Sequence, residues 1–137
     1  MTSILLDTHT WIWLCKGIEL SSSTVELIDD VSTENQIWLA AISIWELSML
    51  VAKNRVTVTK PLGIWVKEAL TQPGINLYPL SPDVAVESSL LPGNFHGDPV
   101  DRMIVATASV GNFTLLTRDS KIIDYGNKNE FIKVVAI

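Results

Sequence analysis

Short apolar runs alternate along this chain with longer stretches of helical spacing, and that alternation constrains the fold more than any other feature. Residues 4–6, 36–41, 75–78, 113–117 and 132–136 are rich in apolar side chains and too short for buried helices, so they read as strands. Helix signals separate them. Ser23-Thr24-Val25-Glu26 has the spacing of a capping box and predicts a helix to residue 32. Ser43 suits the N-cap of a helix over 43–54, and Pro61 opens another to residue 71, ended by Pro73-Gly74. Ser81-Pro82-Asp83 supplies a cap, a first-turn proline and a first-turn acid for a helix to residue 90. Asp98-Pro99 opens a helix to residue 110, with Gly111 as its stop. Arg118-Asp119-Ser120 and residues 126–129 read as turns. Strands alternating with helices imply an α/β fold, a three-layer sandwich whose central, mostly parallel sheet is covered on both faces. With 137 residues and no repeat, linker or low-complexity stretch, the chain reads as a single domain over 1–137.

On that map four acids fall where a ligand site is expected. Asp7 directly follows the first strand, Glu46 lies in the first turn of the helix after the second, Asp101 in the first turn of a later helix, and Asp119 just past the 113–117 strand. Strand ends and following helix starts share one edge of a parallel sheet, where open α/β folds bind ligands. Each acid alone has a structural reading: Asp7 as a helix cap, Asp101 as a capping-box acid behind Asp98, Asp119 as a turn former. Glu46 is harder to explain that way. Its helix is apolar nearly all round and reads as buried, with Ser43, Glu46, Lys53 and Asn54 as one narrow polar strip. A carboxylate there needs a cation, either Lys53 or a metal, or a proton. Two carboxylates about 4 Å apart repel by roughly 4 kcal/mol at an effective dielectric near 20, so four would not gather for stability alone. Hard oxygen donors without His or Cys suit Mg²⁺ or Mn²⁺, and the chemistry of such a site is metal-assisted phosphodiester hydrolysis.

Composition sets limits on this reading. Apolar residues make up 47% of the chain and charged residues 18%, so an apolar surface patch that meets a partner is expected. The single cysteine, Cys15, sits in an apolar run, excludes an internal disulfide, reads as a buried thiol and fits a reducing cytoplasm. Glu46 interrupts the least charged stretch well before the roughly 20 residues of a membrane span, and Met1-Thr2-Ser3-Ile4 lacks the basic flank of a secretory signal. A net charge of −5 argues against a general nucleic-acid binder, which would show a basic face. A carboxylate site that is acidic until metal enters it remains compatible with a nuclease.

Ile4-Leu5-Leu6-Asp7-Thr8-His9, Ile42-Ser43-Ile44-Trp45-Glu46-Leu47, His96-Gly97-Asp98-Pro99-Val100-Asp101-Arg102 and Leu115-Leu116-Thr117-Arg118-Asp119 resemble, in order and spacing, the motifs of PIN-domain proteins. The match is nearest to the VapC-like toxin subgroup and spans nearly the whole chain. Val100 stands where that pattern has an aromatic residue. The resemblance implies a PIN-like fold and a metal-dependent endoribonuclease, with Mg²⁺ (or Mn²⁺) held by Asp7, Glu46, Asp101 and Asp119. Asp7 and Asp101 are then the direct ligands, Glu46 orients the attacking water, and Asp119 completes a second site. Thr8 and Thr117 supply supporting hydroxyls, Asp98 caps its helix beside them, and Arg118 and Arg102 are candidates for phosphate contacts. The same resemblance implies an RNA substrate, a VapB-like antitoxin covering the site, and a homodimer.

Other functions fit less well. A haloacid-dehalogenase-like phosphatase would place a second Asp where His9 stands, and a receiver domain would show an acidic pair before its first helix. The alternative that stays open is a non-catalytic interaction module on the same fold. His9 and His96 are not required by metal-and-carboxylate chemistry, and His96 reads as a positioning or surface residue. Of the five tryptophans, Trp11 and Trp13 lie near enough to Asp7 to touch RNA if exposed, and the rest read as core or interface.

Overall fold

A computed structural model of the chain describes residues 3–95 and 97–137. Met1, Thr2 and His96, and with them part of the N-terminal reading and the loop-histidine reading, lie outside the described residues. The elements run β1 (Ile4–Leu6), α1 (Thr8–Lys16), α2 (Ser22–Ser32), β2 (Ile37–Ala40), α3 (Ala41–Ala52), α4 (Leu62–Leu70), β3 (Ile75–Tyr78), α5 (Pro82–Ser89), α6 (Pro99–Val110), β4 (Thr114–Thr117), α7 (Ser120–Lys128) and β5 (Lys133–Ala136). The strands form one sheet in the order β3-β2-β1-β4-β5, every pairing parallel, so the α/β fold is the one expected. No helix among the described residues is long and apolar enough to cross a membrane.

Alternation along the strands divides the core in two. Leu5 and Leu115, side by side in register, face a layer built from Val84, Val100, Ile104, Val105, Ala108 and Tyr125 of α5, α6 and α7. Ile4, Leu6, Ile37, Leu39 and Leu116 face the other way, onto Trp11, Ile28, Leu47 and Ala69 of α1 to α4. Every residue of β1 is buried, as a strand covered on both faces requires. The sheet centre is therefore rigid, and the loop positions directly after β1 and β4 inherit that rigidity.

Several local expectations are corrected. The cap of α2 is Ser21, whose Oγ accepts the Thr24 N–H at 3.2 Å, so the capping box does not start at Ser23. α3 begins at Ala41 with Ala40 at the cap, which puts Ser43 inside the helix. Nor is α3 buried all round: Trp45 is 54% exposed, against full burial for Leu47. Cys15 has an exposed surface rather than a buried one, although burial around its thiol pushes the pKa up to about 11. Trp11 is fully buried, edge-on to Trp65 at 5.6 Å, and is out of reach of any RNA.

The helix α7 was read as two turns around unassigned residues. Asp119 caps it, Ile122 and Tyr125 bury one face, and Gly126 lies within it. A glycine there weakens a helix, yet a Cβ at 126 would stand 2.5 Å from Val134 Cγ2, so β5 can pack on α7 only without one.

Candidate active site

Asp7 follows β1 and caps α1, its Oδ1 accepting the Thr10 N–H at 2.9 Å. Its Oδ2 accepts from the Thr117 hydroxyl at the end of β4. The carboxylate is thus buried with both oxygens engaged. Asp119 caps α7, with Oδ1 accepting the N–H groups of Lys121 and Ile122 at 2.8 and 3.1 Å. The Thr117 Oγ1 also accepts the Asp119 N–H at 3.0 Å, so one hydroxyl ties the acid after β1 to the acid after β4. Asp98 caps α6 as expected, accepting the Asp101 N–H at 2.9 Å. Asp101 is half-buried in the first turn of α6.

Glu46, half-buried on α3, lies in the second helical turn rather than the first, because α3 starts earlier than its Ser43 suggested. Ser43 has a different use. It is fully buried one turn before Glu46, and its Oγ accepts from Thr8 Oγ1 at 2.9 Å, which pins α3 to the start of α1. Sequence reasoning took Ser43 for a cap; the signal it offered was its place on the polar strip with Glu46.

These groups surround one pocket of about 370 Å³. Asp7, Glu46, Asp101 and Asp119 all line it, with Asp98 and Thr8 beside them. Burial first, then the charges of Asp98, Asp119, Glu46 and Asp7, push the Asp101 carboxyl from 3.8 up to about 7. That is the response of a carboxyl forced among like charges and away from water. The N-termini of α1, α6 and α7 meet at the same edge through their caps, and their positive ends offset part of the repulsion. No ion pair among the described residues engages a pocket acid; Lys53, the protein cation considered for Glu46, is exposed at the end of α3.

An all-oxygen donor set of this charge suits Mg²⁺ or Mn²⁺. Among the described residues no three His, Cys, Asp or Glu side chains form a set that would hold an ion by direct bonds alone. That fits a cation that keeps several waters and takes one or two carboxylates directly.

The two arginines part company. Arg102 is outside the pocket lining; its Nε and Nη1 donate to the carbonyls of Ser88 and Phe95 at 2.8 and 2.7 Å, anchoring the segment that leads into α6. Arg118 lines the pocket, as do His9 and Trp13.

Comparison with known proteins agrees with this architecture. The family model described as PIN domain matches residues 4–128. The chain belongs to the PIN-domain family. This PIN domain is 31% identical over 123 residues to Ribonuclease VapC22 of Mycobacterium tuberculosis (strain ATCC 25618 / H37Rv), covering 89% of the present chain and 91% of the relative. Among solved structures it superposes on VapBC2 from Rickettsia felis, bound to a promoter DNA fragment, with a TM-score of 0.74 at 17% identity, covering 99% of both chains. FitAcB from Neisseria gonorrhoeae gives 0.66 at 24% identity, over 96% of this PIN domain and 95% of that chain. A toxin–antitoxin complex from Klebsiella pneumoniae gives 0.61 at 23%, over 97% and 96%. These structures share the fold of the PIN domain described above.

Proposed function

We propose that this PIN domain is a Mg²⁺- or Mn²⁺-dependent endoribonuclease, the toxin of a toxin–antitoxin pair acting in the cytoplasm. The observation that carries the reading is the convergence of Asp7, Glu46, Asp101 and Asp119 on one pocket with the Asp101 carboxyl pushed up to about 7, an arrangement that asks for a multivalent cation. The relative named as a ribonuclease supports the reaction class.

Asp7 and Asp101 would hold the ion, with Asp119 contributing a further, weaker contact. When bound, the cation withdraws charge from the phosphate oxygens and lowers the pKa of a nearby water. Glu46 orients the attacking water and accepts its proton as the new P–O bond forms and the bond to the leaving ribose oxygen breaks. Thr117 and Thr8, through Asp7 and Ser43, keep the acids in register. Arg118 takes a phosphate oxygen.

A VapB-like antitoxin is the proposed partner. The toxin–antitoxin structural relatives support it, as does an acidic pocket suited to a basic peptide. Exposed Trp45, Val86 and Leu90 support a homodimer; light scattering that gives a monomer mass at high concentration would remove that part.

The deciding experiment incubates the protein with end-labelled RNAs in Mg²⁺ or Mn²⁺ against EDTA, with Asp101→Asn as the control for contaminating nuclease. Cleavage that needs metal and vanishes in the variant is the expected result. No cleavage across a broad RNA panel, together with no metal binding by calorimetry, would favour the non-catalytic module instead.

A further inference from the structure

The acidic pocket has one strip of different chemistry in its lining. His9, Trp13 and Arg118 stand there together, and Arg118 is the only Lys or Arg in the lining among the described residues. The Arg118 guanidinium carbon sits 4.4 Å from the centre of the Trp13 ring, a cation–π contact. The His9 ring lies 5.7 Å from Trp13 at 50°, so three flat groups follow one another along the rim. Trp13 is only half-buried and His9 is exposed. Trp11, two residues earlier on α1, is the tryptophan that serves the core, so Trp13 is not needed there.

Arg118 is held in place. Its Nη2 donates to the Glu19 carbonyl at 2.6 Å, and its Nη1 lies 3.6 Å from Glu19 Oε2. Glu19 has φ +66°, a left-handed backbone that a residue with a Cβ seldom adopts. Strained backbone of this kind persists where the surrounding structure enforces it and marks functional positions more often than chance. Here it turns the carbonyl after α1 toward Arg118, whose side chain is still 41% exposed.

We propose that His9, Trp13 and Arg118 form a shelf that stacks the base and fixes the phosphate of one unpaired nucleotide, so that the substrate is single-stranded RNA. The inference rests on the pocket being the ribonuclease site and adds how the strand is placed in it. Flat aromatic faces and guanidinium planes are the groups on which proteins hold splayed bases. Phosphates are repelled by the acids, so the one fixed cation in the lining sets the register of the strand. A duplex keeps its bases inside the helix and presents none to the shelf, and a pocket of about 370 Å³ is on the scale of a small-ligand site rather than a duplex groove.

The test uses the Asp101→Asn protein in Mg²⁺, with a short labelled RNA as a single strand and as its perfect duplex. The single strand is expected to bind at least about tenfold more tightly. His9→Ala and Trp13→Leu should each weaken single-strand binding, by up to roughly tenfold for Trp13, and leave duplex binding unchanged. Arg118→Ala should weaken both. Equal binding of strand and duplex, or unchanged single-strand binding in His9→Ala and Trp13→Leu, overturns the proposal.

A second measurement avoids dependence on the Trp13 variant folding. Indole N–H resonances of the Asp101→Asn protein are followed on adding adenosine 5′-monophosphate or ribose 5-phosphate. The Trp13 signal should move with the nucleotide and not with the sugar phosphate; the same movement with both overturns the shelf. If RNA is cleaved by the unmodified protein while the shelf variants bind normally, only the shelf fails. If no RNA is cleaved but single strands bind through the shelf, only the nuclease reading fails.

Discussion

The hydroxyl of Thr117 donates to the carboxylate of Asp7 across 110 residues of sequence. Because the same oxygen accepts the Asp119 N–H, a single buried side chain fixes the spacing of two pocket acids. Thr117→Val keeps the shape and removes both bonds. Leaving a buried carboxylate oxygen and an amide unpaired is expected to lower stability by about 1–3 kcal/mol, and to weaken Mg²⁺ binding by roughly 10–100-fold. Thr117→Ser should restore both. Thermal melts and a Mg²⁺ titration of the two variants check it; a Val variant that binds Mg²⁺ like the parent refutes it.

The crowding on Asp101 has a pH signature. Its carboxyl titrates near 7 in the fold and near 3.8 when unperturbed. Between those values the folded protein holds a proton that the unfolded chain has released, so stability falls as pH rises from about 4 to about 7 and then levels. In metal-free buffer Asp101→Asn should remove that slope, and it should melt higher than the parent at pH 8 and little differently at pH 4. Melting temperatures measured across that range check the sign. A parent profile that is flat or rises from pH 4 to 7 contradicts it.

Mg²⁺ should reverse the same penalty. It binds the folded pocket and not the unfolded chain, so at about a hundred times its dissociation constant it adds roughly 2.7 kcal/mol. The effect should be large at pH 8 and shrink below pH 7, where the ion must displace the Asp101 proton. Calorimetric melts with Mg²⁺ and after EDTA, at pH 6 and pH 8, test this; equal stabilisation at both values counts against it.

Arg102→Met should destabilise by about 2–3 kcal/mol, since two carbonyls lose a charged donor. Amide exchange should rise between residues 88 and 95, ahead of the helix that carries Asp101. A variant with parent-like exchange there would show that Arg102 does not anchor the segment.

Gly126→Ala runs against helix propensity. Alanine usually gains about 1 kcal/mol over glycine inside a helix. Here its methyl would meet Val134 at 2.5 Å, so the expected outcome is a lower melting temperature, recovered in part by also changing Val134 to Ala. A higher melting temperature for the single variant would be decisive against the packing argument.

What the sequence made legible was local chemistry with one dominant cause. Ser81-Pro82 and Asp98-Pro99 mark α5 and α6 because a cap and a first-turn proline are compatible with little else. The acids converge because a parallel sheet puts strand ends and helix starts on one edge, which needs only the topology. Contacts across distant segments were not legible. The Thr8–Ser43 bond joins α1 to α3, and the Glu19–Arg118 contact spans 99 residues; neither leaves a pattern in its own neighbourhood. α7 was hidden for a related reason: its Gly126 looks like a breaker until β5 is known to occupy the space of a side chain. Ser21 and Ser23 both look like caps, and only the bond to Thr24 separates them.

β1 is the central strand of the sheet and the earliest in the chain, while its neighbour β4 comes more than a hundred residues later. During synthesis the ribosome delivers Asp7 first and Thr117 and Asp119 almost last, and the central pairing waits for that late segment. Loop closure over such a distance is entropically expensive and is recovered only when the sheet completes. A nascent or truncated chain that stops before β4 therefore carries Asp7, Glu46 and even Asp101 without the pocket they share, and the protein acquires its chemistry in one late step of folding.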